Sequence, residues 1–89
     1  MILILGAGLA GLSACLHLER AGAGERALVL EQQPWVGGLC RSRQVDGFTF
    51  DFTGHYLHLR DESAIRLVDE LLGDQLTQVE RRARIHTHG

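Results

Sequence analysis

The segment MILILGAGLAGLSACLHLERAGAGERALVLE, residues 1–31, decides how the rest of the chain is read. Within it an apolar run, Ile2-Leu3-Ile4-Leu5, leads straight into Gly6-Ala7-Gly8-Leu9-Ala10-Gly11, and a periodic helical stretch leaves the glycines. A second apolar run, Ala27-Leu28-Val29-Leu30, ends in Glu31, twenty residues after Gly11. Strand, glycine turn, helix, strand and terminal acid in that order make a βαβ unit of the kind that binds a dinucleotide. A GxGxxG pattern alone is weak, because glycine is common in turns. Its flanks, and an acid at the right distance, give it weight.

Each part of the segment has a physical task. Ile2 to Leu5 reads as a central parallel strand, covered on both faces. Gly6 permits the tight turn, Gly8 lets the backbone approach a pyrophosphate, and Gly11 lets the helix pack closely on the strand. The helix is expected over about residues 9–21, its free N–H groups and positive dipole end facing the phosphates. Leu9, Leu12, Cys15 and Leu16 form its expected buried stripe, with Glu19 and Arg20 outward. Gly22-Ala23-Gly24 closes it, since glycine takes the left-handed cap readily. Glu31 is placed to hydrogen-bond the adenosine ribose hydroxyls; the plainer alternative is an ordinary strand-end carboxylate. Gln32 and Gln33 offer no cation to a 2′-phosphate and Glu31 would repel one, so NADP is disfavoured.

The bulk numbers bound the rest. Eighty-nine residues make at most one small domain, and an α/β sheet needs helices on both faces. The expectation is that residues 1–89 are the N-terminal part of a dinucleotide-binding domain and a fragment of a longer chain. A net charge of -2 and an isoelectric point near 6.2 give no electrostatic case for nucleic acid or an anionic membrane. All nine basic residues of the Lys and Arg class are arginine, scattered except for Arg81, Arg82 and Arg84, which suit the solvated face of a strand. Cys15 and Cys40 show no metal spacing and fit free thiols in a reducing compartment, so a cytoplasmic location is expected. The apolar start could suggest a signal peptide or membrane span. No basic residue precedes it, glycines interrupt it, and His17, Glu19 and Arg20 end it early, so no membrane segment is read here.

Beyond Glu31 the pattern departs from a plain NAD domain. Pro34-Trp35-Val36-Gly37-Gly38 stands where a second helix would start, followed by Leu39-Cys40-Arg41-Ser42. A glycine pair lets backbone N–H groups approach a ligand, and Arg41 can set a charged fork on a phosphate or flavin oxygen; a solvated surface arginine is the equal alternative. Arg43 to Asp51 reads as a hairpin around Asp46-Gly47, with Phe48, Phe50 and Phe52 on one face. Gly54 frees the backbone just before His55, and the His55/His58 pair lacks the partners a metal site needs. Asp61-Glu62-Ser63 starts a second helix with the stripe Ile65, Val68, Leu71 and Leu72, which Gly73 stops. Residues 77–86 read as a further strand with Val79, Ala83 and Ile85 on one face, a face that Arg81 interrupts.

Taken in order, GAGLAG, VLE, VGGLCRS and DGFTFDFTGHYL resemble the N-terminal FAD-binding region of flavoproteins in the amine oxidase and protoporphyrinogen oxidase group. The segments GHYLHLRDESAIRLVDELLGD and ERRARIHTHG look most like UDP-galactopyranose mutase and its relatives. The resemblance implies an α/β fold: a Rossmann-like FAD-binding βαβ unit with a hairpin, a second helix and a further strand. It also implies the cofactor contacts. Gly6, Gly8 and Gly11 would hold the pyrophosphate, with Leu9 and Ala10 close by; Glu31 would bind the ribose and Gln32 would sit beside the adenine. Gly38, Leu39 and Arg41 would line the diphosphate and flavin side. Thr53, Gly54, His55 and Tyr56 would lie against the isoalloxazine, with His55 nearest to chemistry as the candidate catalytic residue. Two positions depart from the mutases: Leu39 stands where they often carry a polar residue, and Thr53 precedes Gly54.

The implied function is the FAD-binding part of a flavin-dependent oxidoreductase whose small-molecule substrate is bound by a later region. The alternatives are a mutase-like sugar isomerase and a non-catalytic NAD-binding module, which would have no use for the Gly37-Gly38 and His55 loops. Residues 1–89 alone are expected neither to enclose a flavin nor to turn over a substrate.

Overall fold

Ile2–Leu5 (β1) and Ala27–Leu30 (β2) lie side by side in parallel, Ile2 opposite Ala27 and Leu5 opposite Leu30. The ladder runs on into the glycine turn, where the Gly6 N–H donates to the Leu30 carbonyl at 2.7 Å. Parallel strands need a crossover. Here it is an α-helix, Leu9–Arg20 (α1), and a 3-10 turn over Gly24–Arg26. The computed structural model describes residues 1–54 and 56–89, in two units, Met1–Tyr56 and Leu57–Gly89.

Side chains alternate across a strand, and in the first unit α1 covers one face of the sheet. Ile2, Ile4, Ala27 and Val29 are partly buried, whereas Leu3, Leu5, Leu28 and Leu30 are exposed. The strand expected to be covered on both faces is therefore covered on one, because this unit supplies one helical layer to the sheet. The helix is also rotated from its expected setting. Its partly buried positions include Gly11, Cys15, Leu16 and Leu18, while Leu12 is exposed and Leu9 is 66% exposed. The close approach at Gly11 sets this rotation, since residues at i, i+4 and i+7 share the face that follows it.

The end of α1 follows its glycines. Gly22 takes φ +74°, its N–H donates to the Glu19 carbonyl at 2.9 Å, and the Ala23 N–H donates to the Leu18 carbonyl at 2.8 Å. This is the paired 5→2 and 6→1 Schellman closure, which satisfies two of the last carbonyls. Ser42–Val45 (β3) and Phe48–Asp51 (β4) form the expected hairpin, Val45 opposite Phe48. Asp46 and Gly47 take φ of +50° and +82°, the left-handed pair that a two-residue turn demands to match strand twist. The Ser42 hydroxyl donates to the Asp51 carboxylate across its open end.

The second unit is built on Glu62–Leu72 (α2). Asp61 is its N-cap, accepting from the Ala64 N–H at 3.0 Å and from the Ser63 hydroxyl. These donors hold the Asp61 carboxyl below its ordinary range, the Ser63 hydroxyl having the larger effect. Gly73 ends the helix at φ +49°. Asp61→Ala is expected to lower the melting temperature and reduce the helical signal in far-ultraviolet circular dichroism. Asp61→Asn should keep most of both, because asparagine caps a helix about as well as aspartate.

The strand expected over residues 77–86 does not form. Residues 76–89 carry no regular secondary structure, with Val79 60% and Ile85 91% exposed. A strand is held by pairing with a neighbour and by burying one face. The second unit has no strand among its described residues to pair with, and Arg81 breaks the apolar face.

Candidate functional site

Gly8 is the N-cap of α1, with extended backbone and no side-chain cap, and the first turn of the helix carries no acidic residue. The leading N–H groups of Leu9, Ala10 and Gly11 therefore belong to a helix end without a capping side chain, where the dipole and the amide donors favour an anion. Gly11 shows why the helix comes so near the turn. A Cβ on it would sit 2.0 Å from the Gly6 carbonyl oxygen and 3.3 Å from a methyl of Ile4. A Cβ on Gly8 would meet nothing within 4 Å, so its missing side chain leaves open space in front of the helix end. Gly6 itself takes φ +97°.

Between these glycines sits Ala7, 2% exposed and the one buried apolar residue among the described residues. Its N–H donates to Oε2 of Glu31 at 2.8 Å, and its carbonyl accepts the Gly37 N–H at 2.8 Å. The glycine turn is thus pinned from two sides by residues distant in sequence. Gly37 reaches it with φ +104°, and a Cβ on Gly38 would approach the Gly8 Cα to 3.2 Å. The second glycine segment is seated on the first, and both contacts need glycine.

Glu31 Oε1 accepts the Gln33 N–H at 2.9 Å, so each carboxylate oxygen already holds one main-chain donor. The Ala7 N–H, then the Gln33 N–H, hold the Glu31 carboxyl below the usual carboxylate range. An ionised carboxylate offers about four lone-pair sites, so the Ala7 and Gln33 donors do not exhaust it. Leu5, Gly6, Leu30, Glu31 and Gln32 line an open groove of about 480 Å³. It lies at the carboxyl ends of β1 and β2, where open α/β sheets take their ligands.

The next residues gather in the same unit. Gly38–Cys40 form a 3-10 turn, and the Thr53 hydroxyl donates to the Leu39 carbonyl at 3.2 Å, tying the exit of the hairpin to that turn. Arg41 is partly buried and stacks its guanidinium on two rings, 3.8 Å from the Trp35 centroid and 4.5 Å from the Phe52 centroid. The Gly54 carbonyl accepts the Tyr56 N–H at 2.8 Å, and Tyr56 is exposed. His55 lies outside the described residues. Cys15 and Cys40 are free thiols, and no cluster of three or more potential metal ligands occurs among the described residues. No described helix is long and apolar enough to cross a membrane.

Three participants escaped the sequence patterns. Ala7 occupies the unspecified position of the glycine motif, where only its burial gives it a role. Trp35 and Phe52 carry no motif signal; an arginine between two aromatics in a glycine-rich stretch is the only hint.

A parallel βαβ unit with a glycine turn at one strand's carboxyl end and an acid at the next defines a dinucleotide-binding protein. The chain belongs to the NAD(P)-binding Rossmann-like domain family, which it matches over residues 4–71. It is 33% identical over 88 residues to the inactive all-trans-retinol 13,14-reductase of Danio rerio, covering 97% of this chain and 14% of that protein. To the phytoene dehydrogenase of Streptomyces griseus it is 39% identical over 77 residues, 84% of this chain and 15% of that one. Among solved structures it resembles the CLA-producing fatty acid isomerase from P. acnes, with a TM-score of 0.62, 33% identity, and coverage of 82% of this chain and 17% of that one. The chain therefore spans well under a fifth of the length of each of these relatives. The resemblance to the amine-oxidase-like flavoprotein group is borne out by this set.

Proposed function

We propose that this chain is the FAD-binding segment of a flavin-dependent oxidoreductase that acts on carbon–carbon bonds of a long apolar substrate. The observation that carries the cofactor reading is the seating of Gly37-Gly38 on Ala7-Gly8. A nicotinamide domain needs one glycine turn at the helix end. Here a second glycine segment, with Arg41 close behind it, is added beside the first and extends the surface available to a diphosphate.

The residues present fit the cofactor. The end of α1, with Gly8, Leu9, Ala10 and Gly11, would take the diphosphate charge on its amide donors and dipole, and the bare Cα of Gly8 leaves room for it. Glu31 would accept the ribose hydroxyls on its remaining lone pairs, Gln32 would lie beside the adenine, and the groove they line leads from the strand ends. Gly38, Leu39 and Arg41 would face the diphosphate and flavin side. Thr53, Gly54, His55 and Tyr56 would run along the isoalloxazine, with His55 as the catalytic candidate. Bound flavin supplies reversible hydride acceptance, which the side chains of this segment do not themselves offer.

The substrate class rests on the relatives: the human all-trans-retinol 13,14-reductase, a phytoene dehydrogenase and a fatty acid isomerase are all named for long hydrocarbon chains. The substrate would be held by a region outside residues 1–89, and this segment alone would turn nothing over. Titrating the chain with FAD, NADH and NADPH tests the cofactor. FAD should bind with a perturbed visible flavin spectrum, and NADPH should not compete, because Glu31 repels a 2′-phosphate. Binding of NADH in preference to FAD would overturn the reading.

A further inference from the structure

Arg41 is a partly buried charged side chain whose guanidinium carbon lies over two aromatic rings, Trp35 and Phe52. Trp35 precedes the glycine pair and Phe52 follows β4, so the two rings reach Arg41 from opposite directions along the chain. Three further contacts fix this arrangement. Arg41 lies close to Gly37, where an added Cβ would be 3.5 Å from the Arg41 Cβ. The Gly37 N–H is bonded to the Ala7 carbonyl at 2.8 Å, and the Thr53 hydroxyl bonds the Leu39 carbonyl at 3.2 Å, placing the residue after Phe52 on the turn before Arg41. The backbone that carries Arg41 is thus tied, through the glycine pair, to the buried centre of the turn at the head of α1.

Stacking uses the flat faces of a guanidinium. Its five N–H donors lie in the plane between those faces and stay available to an anion, in a fork that fits phosphate oxygens. Cation–π attraction also sets the orientation of the plane, so little rotamer freedom is left to lose when an anion arrives. We propose that Trp35 and Phe52 are positioning residues that clamp Arg41 as the anion-binding group for the cofactor's diphosphate. Specificity for a diphosphate over a flavin without one then depends on two rings that touch no phosphate. This inference rests on the FAD reading.

The chain carries a single tryptophan, so Trp35 fluorescence reports on the clamp directly. In the free protein, Arg41→Ala should change the Trp35 emission, because it removes the cation from the ring face. Affinities for FAD and for riboflavin, which lacks the diphosphate, then separate the two ideas. Trp35→Ala should weaken FAD binding on the order of tenfold and leave riboflavin binding unchanged, while Trp35→Phe, which keeps a ring face, should restore most of the loss. Arg41→Ala should lose as much, and the double variant should lose no more than Arg41→Ala alone, since the ring acts only through the cation. Arg41→Lys keeps the charge without the planar fork, and should behave more like Arg41→Ala than like the parent. Additive losses in the double variant, or equal losses for FAD and riboflavin, would overturn the clamp. If Trp35→Ala fails to fold, the comparison of Trp35→Phe with Arg41→Lys decides: unchanged FAD affinity and unchanged Trp35 emission in Arg41→Lys would overturn it. Failure of the parent chain to bind FAD at all would instead sink the cofactor reading.

Discussion

Gly11→Ala is expected to melt roughly 12 °C or more below the parent chain, and to bind FAD on the order of 100-fold more weakly. The added methyl carbon would lie 2.0 Å from the Gly6 carbonyl oxygen, and that oxygen is backbone with no rotamer to escape into. The helix or the turn must shift. Overpacking of this kind costs typically 1–3 kcal/mol, and a contact this short belongs at about the upper figure. In a domain of this size each kcal/mol moves the midpoint by roughly 4–8 °C. On the proposed reading the affinity loss would come from moving the amide donors of Leu9, Ala10 and Gly11 off the phosphate, where each charge-assisted bond is worth about 1.5–3 kcal/mol. Gly8→Ala is the matched control. Its Cβ meets nothing within 4 Å and its φ is -74°, so the fold should stay close to the parent while FAD binding falls. Differential scanning calorimetry beside FAD titration separates the two; equal melting points for Gly11→Ala and Gly8→Ala would contradict the packing account.

The second large effect is expected at Glu31. Glu31→Gln keeps the size but replaces one acceptor oxygen by an N–H₂ donor, which must then face either the Ala7 N–H or the Gln33 N–H. The variant should lose FAD affinity on the order of tenfold or more, since the turn depends on this carboxylate and, on the proposed reading, the ribose hydroxyls would too. It should also change the response to acid. The Ala7 and Gln33 amides hold the folded carboxyl below its ordinary range, so the folded chain binds protons less readily than the unfolded one. The resulting stabilisation is complete above the unfolded pKa and is lost as the pH falls through the folded value. Melting temperature followed from neutral to acid pH should therefore drop less steeply in Glu31→Gln than in the parent. Parallel curves for the two would remove Glu31 from the account of acid stability.

Local features of the fold were legible because they depend on neighbours in the chain. The glycine turn, the Asp46-Gly47 hairpin, the Asp61 cap and the Gly73 stop each rest on the backbone preferences of a few consecutive residues. Faces were harder. The stripe of α1 was expected to include Leu9 and Leu12, but the approach at Gly11 turns the helix so that Gly11, Cys15 and Leu18 face the sheet. The strand expected over residues 77–86 failed for a related reason: alternation describes a face, and it takes a partner strand to make use of one.

Residues 1–31 establish the dinucleotide-binding unit without help from the rest of the chain. Strand, turn, helix and acid follow from local periodicity and from glycine's freedom at φ > 0. Which glycines meet was settled only by folding. Gly37 bonds the Ala7 carbonyl, Glu31 takes the Ala7 amide, and Arg41 enters between Trp35 and Phe52. None of these contacts has a period or a spacing rule, because each joins loops whose separation in sequence is arbitrary. They depend on the parallel pairing of β1 and β2, which sets Glu31 beside the glycine turn, and on the glycine pair, which brings the next loop down onto it.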